Sequence, residues 1–281
     1  MARLPLYLKK PLGRPSELHR MKKILRDRGL HTVCEEARCP NIGECFTKPT
    51  ATFMILGDVC TRSCGFCSVE KRTAPQTVDS KEPENIAITV KELCLKHVVI
   101  TSVTRDDLPD GGATQFAKTI RAIRRLSRGV SVEVLTPDFG GDRDALKIVL
   151  KERPDVFNHN LETVKRLYPV VRPEADYRRS LQVLEESVKE GLFTKSGIMV
   201  GLGEKKEEVK ELIRELSAIG CTALTIGQYL RPRRENLEVR EFIQPEVFEE
   251  YREYARACGI PQVYSGPFVR SSYNAEEVYR G

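Results

Sequence analysis

What this sequence lacks narrows its class before any motif is read. No stretch approaches the ~18 consecutive apolar residues that a membrane-spanning helix needs. The start, MARLPLYLKKPLGRPSEL, has no apolar core followed by a small-residue cleavage site. The expectation is a cytoplasmic protein that neither spans nor binds a membrane. Basic clusters interleaved with aromatic residues are also missing, so a single-strand nucleic-acid surface is not expected. Charge of one sign is lacking too: 46 Lys and Arg stand against 40 Asp and Glu. They are intermixed in runs such as GEKKEEVKELIREL, the pattern of a solvated helix face. The small excess, +6 in all, would favour an acidic macromolecular partner through steering.

Cysteine is not scarce. There are nine, and an odd number disfavours a fully paired disulfide framework, leaving metal or redox chemistry as the better default for an intracellular chain. At 281 residues and 40% apolar content, the chain suits one large domain with extensions and can bury a real core, which excludes a disordered or fibrous protein.

From residue 51 onward, short β-rich runs alternate with amphipathic segments. The runs are ATFMILG at 51–57, HVVITSV at 97–103, VSVEVLTPD at 130–138, VFNHNLE at 156–162, SGIMVGLG at 196–203 and ALTIGQYL at 223–230. Between them AITVKELCLK, QFAKTIRAIRRL and EVKELIRELSAIG carry apolar residues at three-to-four spacing. Six βα units imply an α/β fold with a parallel sheet, either an open doubly wound sheet or a curved partial barrel. In both, functional groups gather at the carboxyl ends of the strands. The unusual residues stand there: cysteines after 57, TRDDLPDGG after 103, TPDFGGD after 135, NHNLE at 158–162 and GLGE at 201–204. The expected division is an N-terminal extension at 1–50, a βα body at 51–258 and a tail at 259–281.

Directly after the first expected strand comes Cys60-Thr-Arg-Ser-Cys64-Gly-Phe-Cys67. Three thiolates in one short loop can converge on a single centre. A 4Fe-4S cube offers four iron sites to thiolates, so three cysteines leave one iron open. Structural zinc asks for four ligands, and no histidine lies within twenty residues of this loop. The extension holds a second triad, Cys34-Glu-Glu-Ala-Arg-Cys39-Pro-Asn-Ile-Gly-Glu-Cys45, so two clusters become the economical reading. Cys94, Cys221 and Cys258 read as small core residues.

CxxxCxxC after the first strand of a βα repeat resembles the radical S-adenosylmethionine superfamily. That resemblance implies a partial (β/α)6 TIM-type barrel in which the open iron chelates the methionine portion of the cofactor. It also implies reductive cleavage to a 5′-deoxyadenosyl radical, and a place for Phe66 near the adenine. CEEARCPNIGEC, CTRSCGFC, TSVTRDDLPDGGA, NHNLETV, GQYL and GPFVRSSYNA, in that order from about residue 31 to 275, together resemble the lipoyl synthase family. The family likeness implies that Cys34, Cys39 and Cys45 hold an auxiliary 4Fe-4S cluster with a serine of RSSY as its fourth ligand. Of the matching Ser271 and Ser272, Ser272 is favoured.

It further implies a sulfurtransferase that takes hydrogen from C6 and C8 of an octanoyl chain on a lysine of a lipoyl carrier protein, either a 2-oxoacid dehydrogenase E2 domain or the glycine cleavage H protein. The auxiliary cluster is then the sulfur source, and an electron donor such as ferredoxin or flavodoxin feeds the first cluster. Asn158, Glu162 and Arg172 match positions placed near S-adenosylmethionine. Phe46, Asn274 and Gln115 depart from the common pattern, and none removes a cluster ligand.

The weaker motifs have plainer readings. Asp106 and Asp107 suit loop positioning better than acid-base work, since hydrogen abstraction needs no general base. The GxG at 201–203 lacks the rest of a phosphate fingerprint. His159 reads as a core or site-lining residue. The alternatives are another radical enzyme that inserts sulfur, a two-cluster electron-transfer protein, which would need four protein ligands on both clusters, and a zinc-bound scaffold.

Overall fold

The structure, a computed structural model, describes residues 4–10, 13–48, 52–72 and 77–280. The expected boundary at 50 and the start of the first strand at 51 lie outside them. Two units divide the chain: Leu12–Ser63 with Ser68–Phe157, and Met1–Pro11 with Cys64–Cys67 and Asn158–Gly281. We refer to them as the N-terminal and C-terminal units.

In the N-terminal unit the strands Thr52–Ile55, His97–Ser102 and Ser131–Leu135 pair in parallel, with Phe53 opposite Ile100 and Ile100 opposite Val134. Their aliphatic side chains are buried except for the half-buried Leu135 at the end of the third strand, which is why these runs read as continuous rather than alternating. The helices Glu82–Glu92, Ala113–Leu126 and Arg143–Lys151 follow the strands in turn. In the second of these Phe116, Ala117, Ile120 and Ile123 form one buried stripe, the three-to-four spacing seen in the sequence. Asp142 caps the third helix by accepting from the backbone of Asp144 and Ala145.

In the C-terminal unit Thr194–Val200 pairs in parallel with Ala223–Gln228, and that strand with Gln262–Gly266. Leu212, Leu216, Leu224, Ile226, Phe248 and Tyr251 build its core. The helices Tyr177–Lys189, Lys206–Ala218 and Pro245–Ala257 belong here. The short strand Val156–Asn158 carries the chain from one unit into the other.

All six expected strands are present, five with shorter bounds and the one expected at 196–203 shifted to Thr194–Val200. Among the described residues four paired strands escaped the sequence: the two-residue strands Val59–Cys60 and Glu70–Lys71, which pair with each other, and the two that follow. Gln262–Gly266 lies in the expected tail, where only Val263 is buried and no apolar alternation marks it. His31–Thr32 is two residues long and pairs antiparallel with Met54 and Phe53. Cys221 is buried as expected, but Cys94 is exposed. It stands just past the helix Glu82–Glu92 in a left-handed conformation, φ 52°, where the chain turns out of the apolar stripe. Among the described residues no helix is long and apolar enough to cross a membrane.

Phe116 is 0% exposed and meets Phe139 edge-on at 6.2 Å. Phe116→Ala is expected to cost about 3–5 kcal/mol of stability. Urea unfolding of the cluster-free protein checks it; a loss under about 1 kcal/mol would mean that the packing here is loose.

Candidate functional site

The strand Thr52–Ile55 ends at Leu56, whose φ of 70° turns the chain sharply. Three side chains hold that turn. The Leu56 N–H donates to both carboxylate oxygens of Glu82 at 3.0 Å, and its carbonyl accepts from Arg105 Nη1 at 3.4 Å. Gln115 Nε2 donates to Glu82 Oε2 at 2.9 Å. Burial pushes the Glu82 carboxyl up, and these donors oppose the shift.

The chain then enters the short strand Val59–Cys60, paired in parallel with Glu70–Lys71. Cys60 Sγ accepts the backbone N–H of Thr104 at 3.3 Å and that of Arg62 at 3.5 Å. Thr61 donates through both its N–H and its hydroxyl to the Thr104 carbonyl at 3.0 Å. Arg62 is the fixed point of the segment. Nε and Nη2 donate to the two Asp106 oxygens at 2.8 Å each, and Nη2 lies 2.7 Å from Asp138 Oδ1. Its side chain is 6% exposed and that of Asp138 0%. Burial pulls the Arg62 pKa down, but the two carboxylates outweigh it and hold the guanidinium charged.

Asp106 is thus a positioning group, as the sequence suggested. Asp107 turns instead to Arg105, at 2.7 Å and 2.8 Å. That contact, set against partial burial, holds its carboxyl below the usual range.

Cys64–Cys67 belong to the C-terminal unit. The Gly65 N–H donates to the Val171 carbonyl at 2.9 Å, and the Gly65 carbonyl accepts from Leu237 N at 3.0 Å. Asn236 Nδ2 donates to the Cys67 carbonyl at 2.9 Å and to that of Gly65 at 3.2 Å. A Cβ on Gly65 would stand 2.8 Å from Leu237 Cγ, so only glycine allows this approach. Phe66 is half-buried against Val171, Leu202 and Tyr229. Tyr229 in turn donates to the Leu237 carbonyl at 2.8 Å.

The second triad spans two short helices, with Cys34 in Val33–Glu36, Cys45 in Ile42–Thr47 and Cys39 in the turn between them. Thr32 caps the first, and the Cys39 N–H donates to the Cys34 carbonyl at 3.1 Å. Cys34 is buried, while Cys39 and Cys45 are half-buried. Burial, then the nearby thiols of Cys39 and Cys45, push the Cys34 thiol up to about 12. Crowded thiols resist ionising together unless a cationic centre compensates. That donor set fits an iron-sulfur cluster. Cys60 fits one as well, since N–H groups directed at a cluster's sulfur ligands are among the protein's means of tuning it. Among the described residues no three His, Cys, Asp or Glu groups form a site for a single metal ion. A cube does not require that, because each cysteine takes a different iron.

Asn158 and His159 are buried at the end of the strand Val156–Asn158, and Asn160 is nearly so. Glu162, at φ 65°, joins the strand Thr194–Val200 through its N–H to the Gly197 carbonyl at 3.0 Å and its carbonyl to the Met199 N–H at 2.8 Å. Burial pushes the Glu162 carboxyl up, opposed by Arg172, Asn160 and Arg270. Arg172 Nη1 donates to the Asn160 carbonyl at 2.9 Å and to the Tyr168 hydroxyl at 3.1 Å. The structure therefore gathers Glu162 and Arg172, and brings Asn160 between them. Ser271 and Ser272 are half-buried in a turn of the tail. The Ser271 hydroxyl donates to Asn160 Oδ1 at 2.6 Å. The GxG at 201–203 is closed on itself: Glu204 accepts the N–H groups of Gly201 and Leu202, which leaves no phosphate cradle.

Sequence reasoning missed Asp138, Asn236 and Arg62 as supports. Asp138 in TPDF could have been found, because a carboxylate at a strand's carboxyl end needs a partner, and Arg62 lies between two cysteines. Asn236, some 170 residues from the loop it holds, gives no local signal.

Comparison with known proteins closes the question of kinship. A family model described as the radical SAM superfamily matches residues 54–216. One described as the N-terminal domain of lipoyl synthase of that family matches residues 1–39. The chain is 59% identical over 257 residues to the lipoyl synthase of Caldicellulosiruptor saccharolyticus, covering 91% of this chain and 90% of that one. It is 49% identical to the lipoyl synthase of Protochlamydia amoebophila, covering 99% and 87%, and 58% identical to that of Rubrobacter xylanophilus, covering 92% and 80%.

Among solved structures it is similar to Streptococcus suis SuiB bound to S-adenosylmethionine, with TM-score 0.59, 12% identity and coverage of 80% of this chain and 53% of that one. It is also similar to methylornithine synthase, with TM-score 0.51, 14% identity and coverage of 75% and 70%. These structural likenesses speak to fold alone, and they give the α/β partial-barrel class that the family resemblance implied. The chain belongs to the lipoyl synthase family of the radical SAM superfamily.

Proposed function

We propose that this chain is a sulfurtransferase that inserts two sulfur atoms, at C6 and C8, into an octanoyl chain carried on a lysine of a lipoyl carrier protein. The observation that carries the reading is the pair of supported thiol triads in one chain of this family. One has its first sulfur already accepting backbone N–H groups, and the other has a thiol, Cys34, that burial and then its neighbouring thiols push up. Two 4Fe-4S clusters with S-adenosylmethionine supply the chemistry when bound, a hydrogen-abstracting radical from one cluster and sulfur from the other.

In this reading Cys60, Cys64 and Cys67 hold the radical-generating cluster. Cys34, Cys39, Cys45 and Ser272 hold the auxiliary one. A serine oxygen is a poorly matched ligand for a thiophilic cluster, which suits a cluster that must open. Asn158, Glu162 and Arg172 stand near S-adenosylmethionine. Phe66, packed on Val171, Leu202 and Tyr229, excludes water beside the adenine. Arg62 and Asn236 do no chemistry; they fix the backbone that presents the thiols.

The working division remains an extension at 1–50 carrying the auxiliary cysteines, a barrel at 51–258 and a tail at 259–281 carrying RSSY. The carrier is a 2-oxoacid dehydrogenase E2 domain or the glycine cleavage H protein, the reductant a ferredoxin or flavodoxin, and the compartment the cytoplasm. The net charge of +6 suits acidic carriers.

Anaerobic incubation of the iron- and sulfide-reconstituted protein with S-adenosylmethionine, dithionite and an octanoyl-lysyl peptide tests the assignment. A peptide carrying two added sulfurs, with two 5′-deoxyadenosines formed per product, is the expected result. 5′-Deoxyadenosine beside an unchanged peptide would keep the radical enzyme and remove the substrate.

The supports make separate predictions. Asp138→Asn leaves the buried Arg62 charge undercompensated and is expected to cost about 3 kcal/mol, read from urea midpoints of the cluster-free protein. Asn236→Ala removes the amide that serves two loop carbonyls. It is expected to cost about 1–3 kcal/mol and to lower the iron retained at CxxxCxxC after gel filtration. Wild-type retention in that variant would mean that Asn236 does not hold the loop.

A further inference from the structure

The tail that carries RSSY lies on two glycines of neighbouring strands. Gly197 is in Thr194–Val200 and Gly227 in Ala223–Gln228, with Gly197 opposite Thr225 and Gly227 opposite Met199. A Cβ on Gly227 would strike the Val269 carbonyl and stand 3.0 Å from Arg270 Nη1. A Cβ on Gly197 would stand 2.5 Å from Ser271 Oγ, 2.6 Å from Thr225 Oγ1 and 2.8 Å from Asn160 Oδ1. At Gly227 the clash is with backbone, so the tail lies where it does only over a glycine, while at Gly197 a side chain would displace the Ser271, Thr225 and Asn160 side-chain ends that meet there. Into the gap over Gly197 the Ser271 hydroxyl donates to Asn160 Oδ1 at 2.6 Å, and Asn160 Nδ2 donates to Glu162 Oε1 at 2.9 Å. The Asn160 carbonyl meanwhile accepts from Arg172 Nη1 at 2.9 Å. The amide thus has its acceptor turned to the tail and a donor turned to Glu162, a directional chain of bonds.

We propose that Ser271 is a positioning residue, the anchor that ties the RSSY turn through Asn160 to Glu162 and Arg172, so that the order of the tail and the binding of S-adenosylmethionine are linked. A hydroxyl committed to Asn160 is not a cluster ligand, and the neighbouring Ser272 carries that role. The link rests on the placing of S-adenosylmethionine at Glu162 and Arg172 given above; the anchor itself does not. Linkage is reciprocal: an ordered tail pre-sets the Asn160 amide for Glu162, and cofactor held there keeps the tail down.

The test compares Ser271→Ala, Ser271→Thr, Ser272→Ala and Glu162→Gln. Amide hydrogen exchange of residues 269–273 is measured on the cluster-free protein. Equilibrium dialysis of S-adenosylmethionine and Mössbauer spectra are measured on the reconstituted protein. Ser271→Ala is expected to speed tail exchange about fivefold to tenfold and to weaken S-adenosylmethionine binding by a similar factor, the scale of one hydrogen bond. The auxiliary-cluster spectrum should stay as in the wild type, and Ser271→Thr should restore both values. Ser272→Ala should do the opposite, changing the spectrum while leaving apo tail exchange unchanged.

Wild-type exchange in Ser271→Ala overturns the anchor. A changed auxiliary-cluster spectrum in Ser271→Ala overturns the division of roles between the two serines. Faster exchange with cofactor affinity unmoved in both Ser271→Ala and Glu162→Gln overturns the link through failure of the cofactor-site reading. Affinity lost in Glu162→Gln but not in Ser271→Ala overturns the link itself.

Discussion

A buried guanidinium between two cysteines must be met by negative charge, and that requirement organises the start of this site. Arg62, with 6% of its side chain exposed, is answered by Asp138 at 0% and by Asp106. The two acids stand beyond the carboxyl ends of successive parallel strands, His97–Ser102 and Ser131–Leu135. The strand register of the N-terminal unit therefore decides where Arg62 can lie, and Arg62 decides where Cys60 lies. A pair with both partners present is close to neutral energetically, while removing one leaves an exposed debt in a dry place.

A loop that presents thiols has little regular backbone pairing, so its polar groups must find partners elsewhere. On the Cys60 side the partner is Thr104, which accepts from Thr61 and donates to Cys60. On the Cys64–Cys67 side they are Val171, Asn236 and Leu237. In the C-terminal unit the tail follows the same logic, reaching its place because Gly197 and Gly227 carry no side chains. In both units the residues that do the holding outnumber those that would do the chemistry.

Much of this was legible in the sequence, and the reasons are physical. Strands buried on both faces leave unbroken aliphatic runs, and helices with one buried stripe leave three-to-four spacing, so the βα alternation could be read directly. The cysteine triads are local patterns, and local patterns survive translation into structure. Asp106 was read as a positioning residue because abstraction of hydrogen needs no base, and its bond to Arg62 agrees.

What was not legible depended on distant pairing. Asn236 serves a loop some 170 residues earlier, and Gln262–Gly266 becomes a strand because Ala223–Gln228 offers an edge. Its own pattern carries no such signal. Cys94 looked apolar by residue type and proved exposed, because the helix that precedes it ends two residues too soon. Phe66, Asn158, Glu162 and Arg172 came from family likeness and not from spacing, and nothing in composition separates them from ordinary strand-end residues.

The central claim is that the two triads hold two separate clusters, and iron counting with Mössbauer spectroscopy on three reconstituted proteins tests it most directly. The wild type should bind about eight irons per chain, two cubes of four. A variant with Cys60, Cys64 and Cys67 replaced by alanine, and another with Cys34, Cys39 and Cys45 replaced, should each keep about four, with distinguishable spectra. Loss of all iron in either variant, or about four irons in the wild type, would contradict the account.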